Sequence, residues 1–339
     1  MAKHAENKRL AKWQIALLVL LAILFLLAAV ISGVLTHYLN KINRPDPNQT
    51  YITEEEYAAM VMDEEVLLED LQVVQPDDVE LNTEGVLQLN GDITNILLIG
   101  QDRRPGEGRA RSDSIILCSI NKTSNTITLV SFLRDLYVEI PGFQDNRLNA
   151  AYAYGGAELL NKTLKLNFGI EVDANVEVDF SSFAAVVDAL GGVGITLTDA
   201  EYRYFYDSGH TYIVPGYNHL DGKDALFYAQ LREIDSDFGR TNRQRTVLET
   251  LFNQVRYADL GTLMSLADTV LPLLTVDLTN AEIVGYIVEF APMLAGCNFE
   301  TYAIPTGDTF YSASIREMAV LVPDLPACRD LLQSYLSAE

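Results

Sequence analysis

The chain has 339 residues and a formal net charge of -23, with 49% hydrophobic and 21% charged residues. This length and composition exclude a disordered chain, a collagen-like repeat and a small disulfide-stabilised fold. Because 47 acidic residues oppose 24 basic ones, the surface as a whole repels polyanions, and we do not expect nucleic acid as a partner. An anionic ligand must therefore be held by a local basic site.

The N-terminal region contains an uncharged apolar run at 15–36 that is long enough for a helix to cross a lipid bilayer. Basic residues precede this run, and acidic residues dominate the chain after it. We therefore predict a single-pass cell-membrane protein, with residues 1–14 in the cytoplasm and the body of the protein outside. A cleaved signal peptide is the weaker alternative, because its apolar stretch is shorter.

An acidic segment follows, and we predict that residues 37–89 form an extracytoplasmic stalk with one amphipathic helix. No Lys or Arg occurs between 45 and 92. Thr53 and Glu56 have the spacing of a capping box, ahead of apolar residues at helical spacing. We favour a solvated spacer that holds the domain off the membrane over a helix that binds a specific partner.

The compact domain is predicted for residues 90–339, without an internal repeat. Helices are expected to dominate from 219 to the end. The predicted elements before and within that part are a strand at 93–100, a hairpin of 114–120 and 126–132, helices at 149–168 and 181–190, and strands at 171–180, 193–198 and 299–305. This order predicts an α/β fold, a three-layer α/β/α sandwich around a central mixed β-sheet, preceded by one transmembrane helix.

The three cysteines and four histidines show no metal-ligand spacing, so a zinc site is not expected. Cys118 lies in an apolar run and is predicted to be a core residue. Cys297 and Cys328 lie in loop-like settings. A location outside the cell would permit a disulfide between them, but the sequence does not decide whether it forms.

Arginine and aspartate recur together in three separated segments of the predicted domain. The first is the loop 102–113 after the first strand, the second is Arg134 with Asp135, and the third spans 232–245. Guanidinium groups neutralise phosphate oxygens, while carboxylates hold Mg²⁺ against them. A single Arg–Asp pair is best explained as a surface ion pair. Three such segments together favour a metal-assisted phosphate site.

Seven motifs in 93–254 resemble, in sequence and in order, those of the LytR-CpsA-Psr family of membrane-anchored cell-wall enzymes. They read LLIGQD, RSDSIIL, SFLRDLYVEIPG, RLNAAYAYGG, VDFSSFAAVVDALGGV, GYNHLDGKDALFYAQLRE and DSDFGRTNRQ. The resemblance implies a phosphotransferase that moves a glycopolymer, such as teichoic acid or capsular polysaccharide, from undecaprenyl pyrophosphate to peptidoglycan. The new bond would be a phosphodiester.

The resemblance also implies roles for individual residues. Asp102 and Asp113 would hold Mg²⁺, or Mn²⁺ in its place. The pyrophosphate would be bound by Arg111, Arg134, Arg232, Arg240 and Gln244. Asp237 would take the proton from the acceptor hydroxyl, with Asp235 or a metal-binding aspartate as alternatives for this role.

One position departs from the family pattern. The family has Tyr-x-Arg-x-Arg at the end of the lipid-side helix, and this chain has Gln230 in place of the first Arg. One phosphate contact would lose its charge, which Arg243 or Arg245 could replace. The change at Gln230 leaves open a non-catalytic polyprenyl-phosphate or wall-binding protein that regulates envelope synthesis. A lipid-pyrophosphate hydrolase, in which water replaces the sugar hydroxyl, is a further alternative to the transferase.

Overall fold

The computed structural model describes residues 32–62, 71–81, 85–101, 112–294 and 296–337. The strands within them are β1 (Gln72–Val73), β2 (Ile93–Gln101), β3 (Ser112–Asn121), β4 (Thr126–Phe132), β5 (Tyr137–Val138), β6 (Asn146–Arg147), β7 (Ala174–Asp179), β8 (Val193–Leu197), β9 (Gly216–Leu220), β10 (Thr275–Val276), β11 (Asn298–Ile304), β12 (Phe310–Ile315) and β13 (Met318–Pro323).

The α-helices are α1 (described from residue 32 to 39), α2 (Glu54–Met62), α3 (Leu148–Phe168), α4 (Phe180–Ala189), α5 (Asp199–Asp207), α6 (Gly222–Gln230), α7 (Asp237–Arg256), α8 (Leu260–Val270), α9 (Asn280–Leu294) and α10 (Leu325–Leu336). Two short 3₁₀ helices lie at Pro76–Asp78 and Leu271–Leu273.

A mixed six-stranded sheet in the order β10-β7-β2-β3-β4-β11 forms the centre of the fold. Strands β2, β3 and β4 form an antiparallel meander, while β7 pairs parallel to β2 and β11 parallel to β4. The predicted hairpin is confirmed as β3–β4, in which Leu117 pairs with Val130. Its strands are apolar on both faces because helices cover both sides of the sheet.

Helices cover the two faces of this sheet with separate apolar clusters. On one face, Leu97 of β2 and Phe132 of β4 pack into a core with Leu160 and Leu164 of α3 and residues of α10. On the other face, Ile120 and Ile127 pack with Phe252 of α7 and with residues of α9. The predicted three-layer α/β/α arrangement around a mixed sheet is therefore confirmed.

A second apolar core lies beside the sheet, in a lobe built from α4, α5, α6, α7 and the antiparallel hairpin β8–β9. Val187, Phe205 and Val247 are fully buried in it. Thr198 and Glu201 form a capping box that starts α5. This lobe fixes α6 and the N-terminal half of α7 over one face of the sheet.

Helices dominate after 219 as predicted, since α6 to α10 lie there, but the strands β12 and β13 were not predicted. Residues 310–323 form the hairpin β12–β13, which joins β1 in a three-stranded sheet of its own. Alternate residues Ala313 and Ile315 of β12, with Val320 and Val322 of β13, are buried in the main core. Burial of alternate residues is typical of a short strand that packs one face against a core.

The acidic segment 37–89 also differs from the predicted solvated spacer. The capping box of α2 forms as expected, since Thr53 N donates to Glu56 Oε2 and Glu56 N donates to Thr53 Oγ1. However, Tyr57 of this helix is completely buried in the main core. Farther along, Leu87 N donates to Gly169 O at 2.9 Å. The segment thus contacts the domain at Tyr57 and at Leu87, while Glu55 and Glu56 of α2 remain exposed.

Among the described residues, no helix is both long and apolar enough to cross a lipid bilayer. The predicted transmembrane segment 15–36 lies outside the described residues except for 32–36, which belong to α1. The predicted cytoplasmic residues 1–14 also lie outside them.

All three cysteines are free thiols. Cys297 is buried among residues of β3 and β4, whereas Cys328 lies on α10 and is buried in the main core. The disulfide that the sequence left open is therefore not formed.

We predict that the core contact of α2 contributes substantially to stability. Tyr57 is 0% exposed and its hydroxyl donates to Asn149 Oδ1 at 2.7 Å. Tyr57→Ala should lower the free energy of unfolding by roughly 3–5 kcal/mol, because a large aromatic side chain leaves a cavity. Urea unfolding followed by circular dichroism measures this. The matched control is Met60→Ala on the same helix, which is 42% exposed and should stay within about 0.5 kcal/mol of wild type. Equal effects of the two changes would contradict this packing.

Candidate functional site

Charged side chains gather at one edge of the central sheet, where β2, β4 and β7 end and β3 begins. Asp113 is the second residue of β3, and Arg134 follows β4 by two residues. Arg232 lies in the loop between α6 and α7, and Arg240 lies in the first turn of α7. The fold thus brings together residues that are more than 100 positions apart in the sequence.

Three arginines converge on Asp113. Arg134 Nη1 donates to Asp113 Oδ1 in a close ion pair, and Arg232 Nη2 lies 3.7 Å from the same oxygen. Arg240 Nη2 donates to the backbone oxygen of Asp113 at 3.3 Å. The Arg134 and Arg240 side chains are 8% and 2% exposed, whereas that of Arg232 is 42% exposed. Arg232 is therefore the arginine that a ligand reaches from solvent.

The electrostatics of the cluster keep Asp113 ionised. Burial alone would raise the pKa of this carboxyl, but Arg134, Arg240 and Arg232 together outweigh burial and hold its pKa below the ordinary value. Burial lowers the pKa of Arg240 to about 10, although Asp237 opposes this shift. Arg240 therefore remains a cation at neutral pH, and the cluster is a fixed set of donors for an anion.

Asp237 is a carboxylate of this cluster in which one oxygen has no hydrogen-bond partner among the described residues. Its Oδ1 lies 2.7 Å from Arg240 Nη2. Its Oδ2 is buried and has no hydrogen-bond partner in the part of the chain that the structure describes. Burial raises the pKa of Asp237 above the ordinary value, Arg240 opposes this, and the charge of Asp135 adds to it. A buried carboxylate with a raised pKa is suited to accept a proton.

Asp235, the other base candidate, is placed differently. Arg243 donates two hydrogen bonds to it, from Nη2 to Oδ1 at 2.7 Å and from Nη1 to Oδ2 at 2.9 Å. Arg243 also donates to the Leu231 backbone oxygen at 2.7 Å and pairs with Glu201 of α5 at 3.3 Å. These contacts hold the loop that carries Arg232.

The two arginines considered as a replacement for the charge missing at Gln230 are placed differently. The guanidinium of Arg243 is committed to Asp235, Glu201 and Leu231. Arg245 is 7% exposed, and its Nε and Nη1 have no partner within the described ranges. Burial lowers the pKa of Arg245 to about 10.

A fourth arginine of the site was not singled out from the sequence. Arg147 of β6 is 2% exposed, and its Nε lies 3.5 Å from Asp135 Oδ1 and donates to Ala319 O at 3.1 Å. Asp135 Oδ2 also lies 3.6 Å from Arg134 Nε. Asp135 therefore links Arg147 to Arg134. The only sequence signal for Arg147 was that it begins the motif RLNAAYAYGG.

An apolar groove begins beside the charged cluster. It runs between the sheet and helices α4, α6 and α7, and its apolar lining includes Leu98, Ile116, Phe180, Phe183, Leu226 and Leu248. Ser114, the neighbour of Asp113, and Gln230, two residues before Arg232, also line it. A ligand with a charged head and an apolar tail fits these two adjoining environments.

Gln244 lies where the groove meets the cluster. It stands one helical turn after Arg240 and lines the groove. Its Nε2 donates weakly to Ala229 O at 3.4 Å, and its Oε1 is buried without a partner among the described residues. Its amide thus has unused capacity for a ligand at the head of the groove.

Two predicted ligand residues, Asp102 and Arg111, lie in 102–111, outside the described residues. Within the described ranges, no group of three or more His, Cys, Asp or Glu side chains is arranged to hold a metal ion. Asp113 nevertheless stays ionised and Asp237 Oδ2 is unpartnered in that part of the chain. Both are hard oxygen donors of the type that Mg²⁺ accepts, so the residues present fit such an ion.

Curated relatives of the chain include two kinds of protein. The chain is 37% identical to the regulatory protein MsrR of Staphylococcus aureus (strain COL) over 172 residues, which are 49% of this chain and 52% of MsrR. It is 38% identical to the polyisoprenyl-teichoic acid–peptidoglycan teichoic acid transferase TagU of Bacillus licheniformis over 168 residues, 49% of this chain and 53% of TagU. The chain thus spans about half the length of these relatives.

Solved structures share the fold. TagT bound to LIIa-WTA matches with a TM-score of 0.60 and 27% identity, over 76% of this chain and 96% of that one. The protein YwtF (TagT) with bound octaprenyl pyrophosphate lipid matches with a TM-score of 0.56 and 25% identity, over 76% of this chain and 95% of that one.

The model of the LytR_cpsA_psr family matches residues 59–315, which is well over half of the chain. This range includes the central sheet, the charged cluster and the apolar groove. The chain therefore belongs to the LytR-CpsA-Psr family.

Proposed function

We propose that this protein transfers a glycopolymer from undecaprenyl pyrophosphate to peptidoglycan and joins the two through a phosphodiester bond. The observation that carries this proposal is the convergence of Arg134, Arg232 and Arg240 on Asp113 at the head of an apolar groove. Such a site matches a pyrophosphate linked to a prenyl chain. The TagU name and the prenyl pyrophosphate bound to TagT support it.

The arginines would bind the pyrophosphate oxygens, and the groove would take the first isoprene units. Arg232, which is the exposed arginine, and Arg134 would contact the phosphate that carries the glycan. Arg240, with Arg111 and Gln244, would hold the phosphate on the lipid side. Fixed guanidinium groups stabilise the charge that develops on the transferring phosphoryl group, so no covalent nucleophile is needed.

In the transfer step, a sugar hydroxyl of peptidoglycan attacks the phosphorus that carries the glycan. The bond from this phosphorus to the bridging oxygen breaks, and undecaprenyl monophosphate leaves. Asp237 would accept the hydroxyl proton at Oδ2. Mg²⁺, or Mn²⁺, held by Asp102 and Asp113, would supply further neutralisation of the pyrophosphate charge when bound.

The location that we propose follows from the same chemistry. The apolar run 15–36 would anchor the chain in the cell membrane, with the catalytic body outside, where both the lipid-linked donor and peptidoglycan are found. The donor's own pyrophosphate bond supplies the driving force for transfer, which removes any need for a nucleotide. Teichoic acid and capsular polysaccharide are the two classes of polymer that we propose as cargo.

A regulatory binder is the second candidate function. Two observations favour it: Gln230 stands where the family has an arginine, and one relative is named regulatory protein MsrR. Such a protein would bind polyprenyl phosphate or wall polymer without turnover. A hydrolase, in which water replaces the sugar hydroxyl, would use the same residues.

The test is transfer by the purified full chain from labelled undecaprenyl-pyrophosphate glycan to peptidoglycan fragments, with and without Mg²⁺. The transferase predicts coupled product and undecaprenyl monophosphate in equal amounts. Free sugar phosphate without coupling would indicate the hydrolase. Donor binding without any product would indicate the regulator.

Replacement of the buried arginine tests the phosphate site. Arg240→Lys keeps the positive charge but loses the planar fork that contacts Asp237 and the Asp113 backbone together. We expect kcat/KM for transfer to fall by roughly 100-fold or more. Arg203→Lys, an exposed change on α5, is the matched control and should leave the rate unchanged. Wild-type kinetics for Arg240→Lys would rule out its role at the pyrophosphate.

The pH dependence of transfer tests the base. Asp237 must be deprotonated to accept a proton, so activity should be lost as pH falls through its pKa. Because burial raises this pKa, the acid limb should lie above the ordinary aspartate value of about 3.9. Asp237→Asn should abolish transfer, while the exposed Asp308→Asn should keep the acid limb. An Asp237→Asn enzyme with substantial activity and an unchanged acid limb would exclude Asp237 as the base.

Substitution of Gln230, where the family has an arginine, distinguishes an enzyme from a regulatory binder. Gln230→Arg should raise turnover by roughly tenfold, because a charge-assisted hydrogen bond to phosphate replaces a neutral one. Gln230→Met, which has similar length and no charge, should give no increase. The absence of turnover in both wild type and Gln230→Arg, despite tight donor binding, would instead favour the regulator.

A further inference from the structure

Helix α8 exposes an apolar stripe that the domain does not use. Leu260 is 73% exposed, Leu263 is 37% and Met264 is 41%, and Tyr257 just before the helix is 75% exposed. Spacings of three and four residues place the three helical side chains on one face. Such a face normally packs into a core. Here the buried residue of α8 is Leu266, at 7% exposure, and the described residues of the domain leave the stripe uncovered.

The stripe is also uncharged. The segment 257–274 contains no Lys or Arg, and its two carboxylates are engaged at the ends of the helix. Asp259 caps α8, where its Oδ1 accepts from Thr262 N at 2.9 Å. Asp268 is paired with Lys41 in a close ion pair. Burial of this face in an apolar phase therefore leaves no unpaired charge of the helix away from water.

The C-terminal end of α8 is fastened to residues that directly follow the predicted membrane segment. Leu39 and Ile42 are buried together with Leu271 and Leu274. Asn43 N donates to Leu274 O and Val276 N donates to Asn43 O, both at 3.0 Å. The pairing of Lys41 with Asp268 adds a third link. Helix α8 is therefore in contact with chain that begins only a few residues after the predicted membrane segment 15–36. If that segment enters a bilayer, the bilayer surface is close to α8.

Helix α8 also adjoins the groove. It packs against α4, and Phe180 and Phe183 of α4 line the groove proposed for the prenyl chain. One helix thus separates the exposed stripe from the groove. A donor that moves from bilayer to groove would cross a short apolar path at this place.

We propose that α8 is an interfacial helix that docks on the outer leaflet of the membrane through Leu260, Leu263 and Met264. An amphipathic helix of this length lies in the interface with its apolar face in the acyl chains, and Tyr257 suits the headgroup level. This docking rests on the proposed function, because it places the groove beside the bilayer that holds the lipid-linked donor. Since the protein carries a net charge of -23, apolar burial rather than attraction to anionic lipid drives the docking, which should persist at high salt.

A depth measurement tests the docking independently of activity. The full chain with Met264→Cys is labelled with a nitroxide at that position and reconstituted in nanodiscs of zwitterionic lipid. The collision rates of the nitroxide with oxygen and with a water-soluble nickel complex are then compared. The control is Tyr311→Cys on β12, which has a similar exposure of 46% in the native chain. Labelled wild type gives the background from the three native cysteines.

We expect the label at 264 to favour oxygen over nickel, and the label at 311 to favour nickel. Equal nickel access at both positions would overturn the docking. The label at 264 could also be protected from nickel equally in detergent micelles and in nanodiscs, to an extent that depends on protein concentration. That result would mean that a second copy of the protein covers the stripe, and it would also overturn the docking.

Transfer assays separate this docking from the proposed function. Changing Leu260 and Met264 to Gln together should reduce transfer from a bilayer-embedded donor by about tenfold, because lost apolar burial weakens docking. Transfer from a short-chain, water-soluble donor should not change, and Tyr311→Gln should affect neither. Equal loss with both donors would contradict the docking. A wild-type chain inactive with both donors would contradict the transferase, while the depth measurement would still decide the position of α8.

Discussion

Burial of several arginines at one sheet edge is the interaction on which the rest of the site depends. Among the described residues, four guanidinium groups meet three carboxylates there: Arg134, Arg147, Arg232 and Arg240 against Asp113, Asp135 and Asp237. Charges removed from water must be paired, and this set leaves an excess of positive charge. An anion with several oxygens completes it. In a protein of charge -23, this local excess distinguishes the site from the surrounding surface.

The fold supplies the rigidity that such a site requires. Asp113 and Arg134 are set by the β3–β4 hairpin, while Arg240 is carried on α7, which packs over the sheet. Arg232 lies in the loop between α6 and α7, and Arg243 fixes that loop through Asp235 and the Leu231 backbone. Charged donors that are positioned before the ligand binds need little reorganisation during reaction. The same helices, α6 and α7, form one wall of the apolar groove, so head and tail sites are built from common elements.

Local patterns in the sequence predicted β2, β3, β4, β7 and β11 of the central sheet, but not β10. The apolar runs of β3 and β4 are separated by a few turn residues, which indicated their hairpin. The recurrence of arginine with aspartate at strand ends indicated the site, because strand ends meet at one edge. Long-range packing was less visible. Among residues 54–60 of α2, Tyr57 alone is buried, and three glutamates begin the helix, so its pattern resembles that of a solvated helix.

Partner choice among charged side chains could not be predicted from spacing. Asp235 and Asp237 are two residues apart, but the turn before α7 directs one to Arg243 and the other to Arg240. The sequence left both open as the base. Arg147 pairs with Asp135 only because the short strands β5 and β6 fold back beside β13. Such pairings depend on tertiary geometry and side-chain rotamers, for which a sequence gives no direct signal.

The central claim is that the arginine cluster holds a pyrophosphate while the groove holds its prenyl chain. A crystal structure of the protein with a prenyl pyrophosphate tests this most directly. The account predicts phosphate oxygens within hydrogen-bonding distance of Arg134, Arg232 and Arg240, and isoprene units between Phe183 and Leu248. A pyrophosphate bound elsewhere, with the contacts of Asp113 unchanged and the groove empty, would contradict the account.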